Sequence, residues 1–234
     1  QLIAEMRSVK EEIKGKEEKL KVTLEEWQKI MLKIPNIPSV DTPEGKDETG
    51  NQVLRSWGEK PQFSFTPKEH FELGKALGII DTETAAEVSG SRFAYLKGDL
   101  VLLQFALLQM CLEILTNEET LKKIAEEFGV PITGAKFTPI IPPVFIRPVV
   151  QMKMARLMAP EDHYMFPNDD LMLIGSAEHT IGAMHMGKIF EEKDLPLRYV
   201  GYSTAFRREA DAAGKDTNGI VRQHQFDKLE KEVF

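Results

Sequence analysis

The sequence is poor in cysteine, with Cys111 the single one among its 234 residues. One thiol cannot close an intramolecular disulfide, and chains without disulfides are typical of reducing compartments. The N-terminus lacks the charged start and apolar stretch of a signal peptide, and no uninterrupted apolar run has the length of a membrane span. We therefore expect a cytoplasmic protein that does not enter a membrane.

The sequence also lacks the common signatures of nucleotide and metal sites. It contains neither GxxxxGK followed by Ser or Thr nor GxGxxG, which argues against a P-loop or a Rossmann site. Its five histidines and one cysteine form no zinc pattern, so we expect no metal site within the chain. A net charge of −7 gives no basic footprint for non-specific binding to nucleic acid. We expect no DNA binding, and any RNA contact must be local.

The composition is that of a globular protein. A hydrophobic content of 42% in 234 residues suffices for one large core, or for one core and an appendage. The first residue is Gln1 and not Met, so we expect a piece of a longer protein or a processed product. Residues 35–65 are rich in Pro, Gly, Asp and Asn, which indicates a linker and a domain boundary. Residues 66–234 then form the main domain.

Residues 1–34 form a charged segment in which an apolar residue recurs every seven positions. This spacing predicts a helix with a coiled-coil seam at Met6, Ile13, Leu20, Trp27 and Ile34. Lys16 and Thr23 interrupt the second row of the seam, so we expect the helix to need a partner helix. The alternative is a short amphipathic helix packed on the rest of the protein.

The main domain alternates helical and extended segments. The nearly continuous apolar run at 100–115 predicts a buried or interface helix, too short to span a bilayer. Capping and terminating residues predict two further helices, Thr66 to Gly78 and Asn117 to Gly129. Short strands are expected within 88–99, at 137–146, where two prolines confine the strand to an edge or an end, and at 171–174 before a loop and a helix.

The most informative stretch is 205–230, AFRREADAAGKDTNGIVRQHQFDKLE. Its charged residues are spaced like two strands around a loop at 210–219, because alternate side chains of a strand share a face. One such face would carry Arg, His, Phe, Lys and Glu, which is costly to bury unless the face meets a charged ligand. We interpret it as the binding surface of a hairpin with a mobile tip. The alternative is a surface hairpin whose charges pair only with one another.

The order Phe, Arg, any residue, Glu, then a loop and an Arg before HQFDKLE resembles motif 2 of the class II aminoacyl-tRNA synthetases, in the form of the seryl-tRNA synthetases. VSGSRFAYLKGD at 88–99 resembles a second signature of that family, and Ser-Ala-Glu at 176–178 stands where the family has Thr-Ala-Glu. The helix, strand and prolines within 100–146 follow the order of motif 1. The resemblance covers the chain from about residue 20 onward.

The resemblance implies a mixed α/β (α+β) fold with an antiparallel sheet flanked by helices. Residues 1–34 would be the end of a tRNA-binding coiled-coil arm, and 66–234 a catalytic domain with motifs 1 and 2. The implied protein is a homodimeric serine–tRNA ligase, which makes seryl-adenylate from L-serine and ATP and then transfers serine to tRNA(Ser). Motif 3 is absent from these residues, and most Mg²⁺ ligands are expected with it, after Phe234.

The resemblance also assigns the ATP-binding residues. Arg207 would be the catalytic residue on the α-phosphate, since a fixed guanidinium can stabilise charge that grows on phosphoryl oxygens. Arg222 would bind the γ-phosphate, Phe226 would stack on adenine, and Glu209 would contact the adenine amino group.

Serine binding is assigned to Ser176, Glu178, Arg207 and Glu230, with Glu178 on the ammonium group and Glu230 on the hydroxyl. Ser176 could instead serve only as a helix N-cap. Two other functions stay open for the protein: a synthetase-like ligase that aminoacylates a carrier protein, and a non-catalytic synthetase paralogue that acts as a binding partner.

Overall fold

The structure, a computed structural model, describes residues 2–131, 136–157, 159–209 and 219–234. The chain divides into two compact units, Gln1–Phe63 and Ser64–Phe234. The predicted mobile loop at 210–219 lies outside the described residues except for Gly219.

The first unit consists of one long helix and an irregular segment. The helix, α1 (Leu2–Met31), confirms the helical prediction and buries none of its residues. Its seam stays exposed by half or more of each side chain at Met6, Ile13, Leu20 and Trp27. After α1, the described residues of this unit contain a 3-10 turn at Glu48–Gly50 but no other helix and no strand, as the Pro-rich and Gly-rich composition predicts.

The second unit begins with short elements that lead to two longer helices: α2 (His70–Ala76), β1 (Ile80–Asp81), α3 (Thr82–Ser89), β2 (Tyr95–Leu96), α4 (Asp99–Thr116) and α5 (Glu118–Phe128). The strands β1 and β2 pair antiparallel. The predicted start of α2 at Thr66 is wrong, because the capping box is formed one turn later by Glu69 and Glu72. The predicted boundaries of α5 are confirmed: Asn117 caps it through the amide of Thr120, and Gly129 ends it in the left-handed conformation.

The exposure of the helix α4 excludes the first of the two predicted alternatives, a buried helix, and leaves the second, an interface helix. It buries none of its residues, and Leu102, Leu103 and Phe105 are 67%, 55% and 55% exposed. It is also the one helix among the described residues that is long and apolar enough to cross a membrane by length and composition. Asp99 and Glu113 are the only charges in its 18 residues.

Two three-stranded sheets follow. One sheet has the order β3 (Thr138–Ile140), β7 (Arg198–Phe206), β8 (Gln225–Val233), and the other has the order β4 (Phe145–Ile146), β6 (Leu171–Leu173), β5 (Met165–Phe166). All neighbouring strands run antiparallel except β3 and β7, which are parallel. The β7–β8 hairpin pairs nine residues of each strand and confirms the predicted antiparallel hairpin. Two short helices complete the unit, α6 (Pro148–Lys153) and α7 (Glu178–Ala183).

A small core supports the end of the hairpin. Ile146, Met172 and Ile174 are buried and pack together, with the partly buried Val144, Val150 and Leu157 against them. The backbone at the end of β7 bonds directly to this core, because Phe206 N–H donates to Ile174 O at 2.9 Å. Residues 174–176 therefore lie beside the point where the hairpin opens.

Candidate active site

The hairpin carries the residues predicted to bind nucleotide at its open end. Its ladder stops at the pair Phe206 and Gln225, so Arg207, Glu209 and Arg222 lie beyond the strands. The prediction that these residues share alternating strand faces is wrong here. Glu209 has a left-handed φ of 51°, and a backbone in that region cannot continue an extended strand.

Three side chains form a hydrogen-bonded cluster on the hairpin: Ser176, Lys228 and Glu230. Ser176 Oγ donates to Glu230 Oε2 at 2.6 Å, and Lys228 Nζ donates to Ser176 Oγ at 3.1 Å. Lys228 Nζ also lies 2.7 Å from Glu230 Oε2, and the two charged side chains are 30% and 23% exposed. The two residues face the same side because they lie two positions apart on β8.

The Glu230 carboxyl is held in its ionised form. Burial alone would raise its pKa, but hydrogen bonds from Lys228 and Ser176, together with the charges of Lys228 and Arg207, outweigh burial and keep the pKa below its usual value. Ser176 beside it is 2% exposed. The cluster therefore presents a carboxylate, an ammonium and a buried hydroxyl at one point of the hairpin.

Ser176 lies two residues before the start of α7, and Ala177 occupies the N-cap position. The Ser176 Oγ accepts a hydrogen bond from Glu178 N–H at 3.3 Å, so one hydroxyl contacts both the first residue of the helix and Glu230. The Glu178 carboxylate points elsewhere and forms an ion pair with Arg156. The helix can approach β7 because Gly201 has no side chain: a Cβ at this position would collide with Ile181.

Arg207 is joined to this cluster through Gly175, the residue before Ser176. Its Nε donates to Gly175 O at 3.1 Å. Its guanidinium lies over the ring of Phe226, 5.5 Å from the ring centroid, as in a cation–π contact. The residue is otherwise exposed, so the arginine is anchored at Nε next to the serine cluster and lies over Phe226, the predicted adenine ligand.

The other two nucleotide-site residues contact each other. Arg222 Nη1 donates to Glu209 Oε2 at 2.9 Å, and Glu209 is the more buried partner, with its side chain 16% exposed against 41% for Arg222. The predicted phosphate ligand and the predicted adenine ligand are therefore neighbours.

A buried histidine behind Gly175 is a site residue that the sequence interpretation missed. His179 is 8% exposed, and its Nδ1 accepts a hydrogen bond from Gly175 N–H at 3.3 Å. Because a backbone amide can only donate, Nδ1 is unprotonated, and the buried Gln151 must present its Nε2 to the same nitrogen, 2.9 Å away. Its spacing of three residues from Ser176, one helical turn, was the available signal.

The surroundings of His179 keep its imidazole neutral. Burial is the largest cause, and the positive charges of Arg156, Arg207 and Lys228, with the nearby His163, add to it, so the pKa of His179 falls to about 4. A neutral ring with a fixed acceptor nitrogen supports the backbone of Gly175, whose carbonyl holds Arg207.

The described residues do not fit a metal ion. They contain no group of three or more His, Cys, Asp or Glu side chains that could hold one. The chemistry that the site can perform with its own residues is electrostatic: cations fixed beside a carboxylate and a hydroxyl suit a ligand that carries both an anionic group and an ammonium group.

Comparisons with known proteins agree with this geometry. Residues 164–234 match the family model of the tRNA synthetase class II core domain (G, H, P, S and T). The serine–tRNA ligase of Geobacillus sp. (strain WCH70) is 40% identical over 234 residues, which is 100% of this chain and 51% of that protein. The chain spans about half the length of the curated relatives that it matches.

Solved structures give the same result. The seryl-tRNA synthetase of Pyrococcus horikoshii, complexed with ATP, superposes with a TM-score of 0.83 at 35% identity, covering 100% of this chain and 53% of that one. The cytoplasmic serine–tRNA ligase of Naegleria fowleri, in complex with AMP, superposes with a TM-score of 0.76 at 31% identity, covering 94% of this chain and 49% of that one.

The fold is that of a class II aminoacyl-tRNA synthetase core, and the β7–β8 hairpin lies in the segment that resembles motif 2. This confirms the predicted fold class. Within that class, the chain is similar along its whole length to the seryl-tRNA synthetases.

Proposed function

We propose that this chain carries the serine-activating site of a serine–tRNA ligase. The observation that carries the proposal is the cluster of Ser176, Lys228 and Glu230, joined through Gly175 to Arg207. In the first reaction, a serine carboxylate oxygen attacks the α-phosphorus of ATP, the bond to pyrophosphate breaks, and seryl-adenylate forms. In the second reaction, a ribose hydroxyl at the end of tRNA(Ser) attacks the carbonyl carbon of the adenylate, AMP leaves, and seryl-tRNA forms.

The role that we assign to Arg207 follows from charge. The attack joins two anions, and negative charge grows on the phosphoryl oxygens, so a cation fixed at that point lowers the barrier. Arg207 is anchored by Gly175 O beside the serine cluster, where it can contact both the serine carboxylate and the α-phosphate. Moving its guanidinium off the Phe226 ring would open that ring to adenine.

Arg222 and Glu209 would bind two other parts of the nucleotide. We assign the γ-phosphate to Arg222 and the adenine amino group to Glu209. Since their side chains lie 2.9 Å apart, a nucleotide that contacts both must bring its γ-phosphate near its own base, which requires ATP to bind bent. The ion pair would open as ATP enters and leave each side chain to one end of the ligand.

The serine pocket would be built from Glu230, Ser176 and Glu178. We assign the substrate hydroxyl to Glu230 and the ammonium group to Glu178, with Ser176 fixing Glu230 between them. Both carboxylates already have cationic partners, Lys228 and Arg156. The incoming ammonium would therefore compete with Arg156 for Glu178, while Glu230 would accept the hydroxyl with its remaining lone pairs.

The wider assignments belong to the same proposal. Residues 1–34 would contact tRNA(Ser) as the end of a helical arm, 35–65 would link this arm to the catalytic domain at 66–234, and two copies would form a homodimer in the cytoplasm. ATP would bring Mg²⁺, which offsets phosphate charge. No described group of this chain suits that ion as a binding site, and we assign no step to it.

The test is amino-acid-dependent ATP–pyrophosphate exchange by the full-length protein that carries this chain, followed by aminoacylation of tRNA(Ser). The proposal expects exchange with serine that requires ATP, and transfer to tRNA(Ser). Exchange with serine followed by transfer to a carrier protein alone would favour the carrier-protein ligase. No exchange with any amino acid would favour the non-catalytic paralogue.

A further inference from the structure

We propose that Arg92 is a specificity-determining positioning residue, which holds Glu209 where it can read the 6-amino group of adenine. The inference deepens the proposed function and rests on it, because it takes Glu209 as the adenine ligand. Arg92 belongs to the segment at 88–99, for which the sequence predicted a short strand and no site residue.

Arg92 bonds to both sides of the hairpin just beyond the last ladder pair. On the β7 side, Arg92 Nη1 donates to Glu209 O at 2.9 Å. On the β8 side, Arg92 O accepts from His224 N–H at 3.1 Å. Through these two hydrogen bonds, Arg92 bridges the two chains of the hairpin where the β7–β8 pairing ends.

The Arg92 bridge stabilises a backbone conformation that is unfavourable for residues other than glycine. Glu209 has a φ of 51° and Arg92 a φ of 61°, and side-chain-bearing residues persist in this left-handed region when the surrounding structure fixes them. The φ of Glu209 sets the direction of its Cα–Cβ bond and therefore of its carboxylate. The guanidinium of Arg92 donates to the carbonyl oxygen of Glu209 and so restrains the backbone at this residue.

A neighbouring residue of the segment at 88–99 also contacts the hairpin close to its last ladder pair. The ring of Phe93 packs on the ring of His224, with the centroids 5.3 Å apart, and His224 Nδ1 lies 2.9 Å from Arg207 O. Arg92 and Phe93 therefore both contact the hairpin, and Arg92 bonds directly to Glu209.

This arrangement predicts an effect on base recognition and not on serine. Arg92 itself contacts no part of ATP in the proposed pose, so its influence must pass through the Glu209 carboxylate. An accepting carboxylate favours adenine, which donates from its 6-amino group, over hypoxanthine, which presents an oxygen there. Loosening Glu209 should weaken that preference.

The experiment measures ATP–pyrophosphate exchange by the full-length protein with ATP and with ITP. We expect Arg92→Ala to reduce the preference for ATP over ITP, as a ratio of kcat/KM values, roughly tenfold, mainly through a higher KM for ATP. The KM for serine should change by less than about twofold. Arg92→Lys, which can supply a single donor, should fall between the wild type and Arg92→Ala.

Three controls separate positioning from stability. Lys97→Ala removes a second cation of the same segment, whose partner is Asp81, and should leave the preference unchanged. Arg92→Gly suits the left-handed φ but removes the guanidinium, so it should behave like Arg92→Ala while folding normally. In a Glu209→Ala background, Arg92→Ala should cause no further loss of base preference.

Several results would overturn the inference. They are an unchanged preference in folded Arg92→Ala, equal losses for ATP and serine, an additive loss in the Glu209→Ala background, or loss of the folded state in both Arg92→Ala and Arg92→Gly. A wild-type protein without serine-dependent exchange would overturn the proposed function as well. A wild-type protein that exchanges with serine but does not prefer ATP over ITP would overturn the adenine role of Glu209 and, with it, this inference.

Discussion

The charged residues of the β7–β8 hairpin have partners within the chain, whereas the apolar residues of the helix α4 remain exposed. Glu230 has Ser176 and Lys228 as partners, and Arg207 is anchored by Gly175. By contrast, α4 buries none of its 18 residues and covers an apolar cavity of about 650 Å³, lined by residues such as Phe105, Leu112, Ile140, Val200 and Tyr202.

The difference indicates which side chains find their contacts within the unit and which do not. Charged groups are costly to leave unpaired in a half-buried site, so they are fixed by contacts within the unit. Exposed leucines, in contrast, gain about 1.5–3 kcal/mol each when another surface covers them. The hairpin cluster is preorganised within the unit, whereas α4 needs a further surface, which the proposed homodimer would supply.

The largest expected effect is the loss of activity on substitution of Arg207, beside the preorganised hairpin cluster. Arg207→Ala in the full-length protein should lower serine-dependent ATP–pyrophosphate exchange at least about a hundredfold, because it removes a cation worth on the order of 3 kcal/mol in the transition state. The control is Arg208→Ala, which removes the adjacent exposed arginine. Both variants should keep the wild-type oligomeric state, and near-wild-type exchange by Arg207→Ala would remove Arg207 from the reaction.

The second prediction concerns α4. Leu103→Glu should weaken self-association of the full-length protein by about 3 kcal/mol, roughly a hundredfold in the dissociation constant, because a buried carboxylate without a partner replaces a buried leucine. Sedimentation equilibrium measures the change. Val88→Glu changes a similarly exposed residue on α3 and should have no effect. A wild-type monomer, or an unaltered Leu103→Glu dimer, would contradict the proposed role of α4.

The third prediction is a pH dependence of stability from His179. Its pKa is about 4 in the folded protein and close to 6.5 when unfolded. The unfolded state therefore binds the proton first, and the stabilising contribution is complete above about pH 6.5 and lost as the pH falls toward 4. Between pH 7 and pH 5 the loss should be about 2 kcal/mol.

Chemical denaturation of the wild type and of His179→Asn at both pH values measures this loss. Asn keeps an acceptor near the position of Nδ1 and does not titrate, so the gap in unfolding free energy between the two proteins should shrink as the pH falls. A gap that stays constant from pH 7 to pH 5 would show that His179 titrates normally.

Sequence reasoning succeeded where a local pattern decides the structure. The heptads predicted α1, Asn117 and Gly129 gave both ends of α5, and the alternation in 205–230 gave the hairpin. The predicted start of α2 failed because two capping boxes overlap in TPKEHFE, and their pattern does not say which one forms.

The site was predictable only in part, because its contacts join residues far apart in sequence. The pairing of Arg92 with Glu209 spans 117 positions, and the pairing of Ser176 with Glu230 spans 54. No periodicity links such pairs. The extent of the strands at Arg207 was also misjudged, since the left-handed backbone of Glu209 is stabilised by a tertiary contact and has no local signature.

The central claim, that the cluster at Glu230 is a serine pocket, is tested most directly by Glu230→Gln in the full-length protein. We measure ATP–pyrophosphate exchange with serine and with alanine, and the KM values for serine and ATP. The account predicts that KM for serine rises about tenfold or more while KM for ATP changes little, and that the preference for serine over alanine narrows, because the buried hydroxyl ligand is weakened. Equal changes for serine and ATP, or an unchanged preference for serine over alanine, would contradict it.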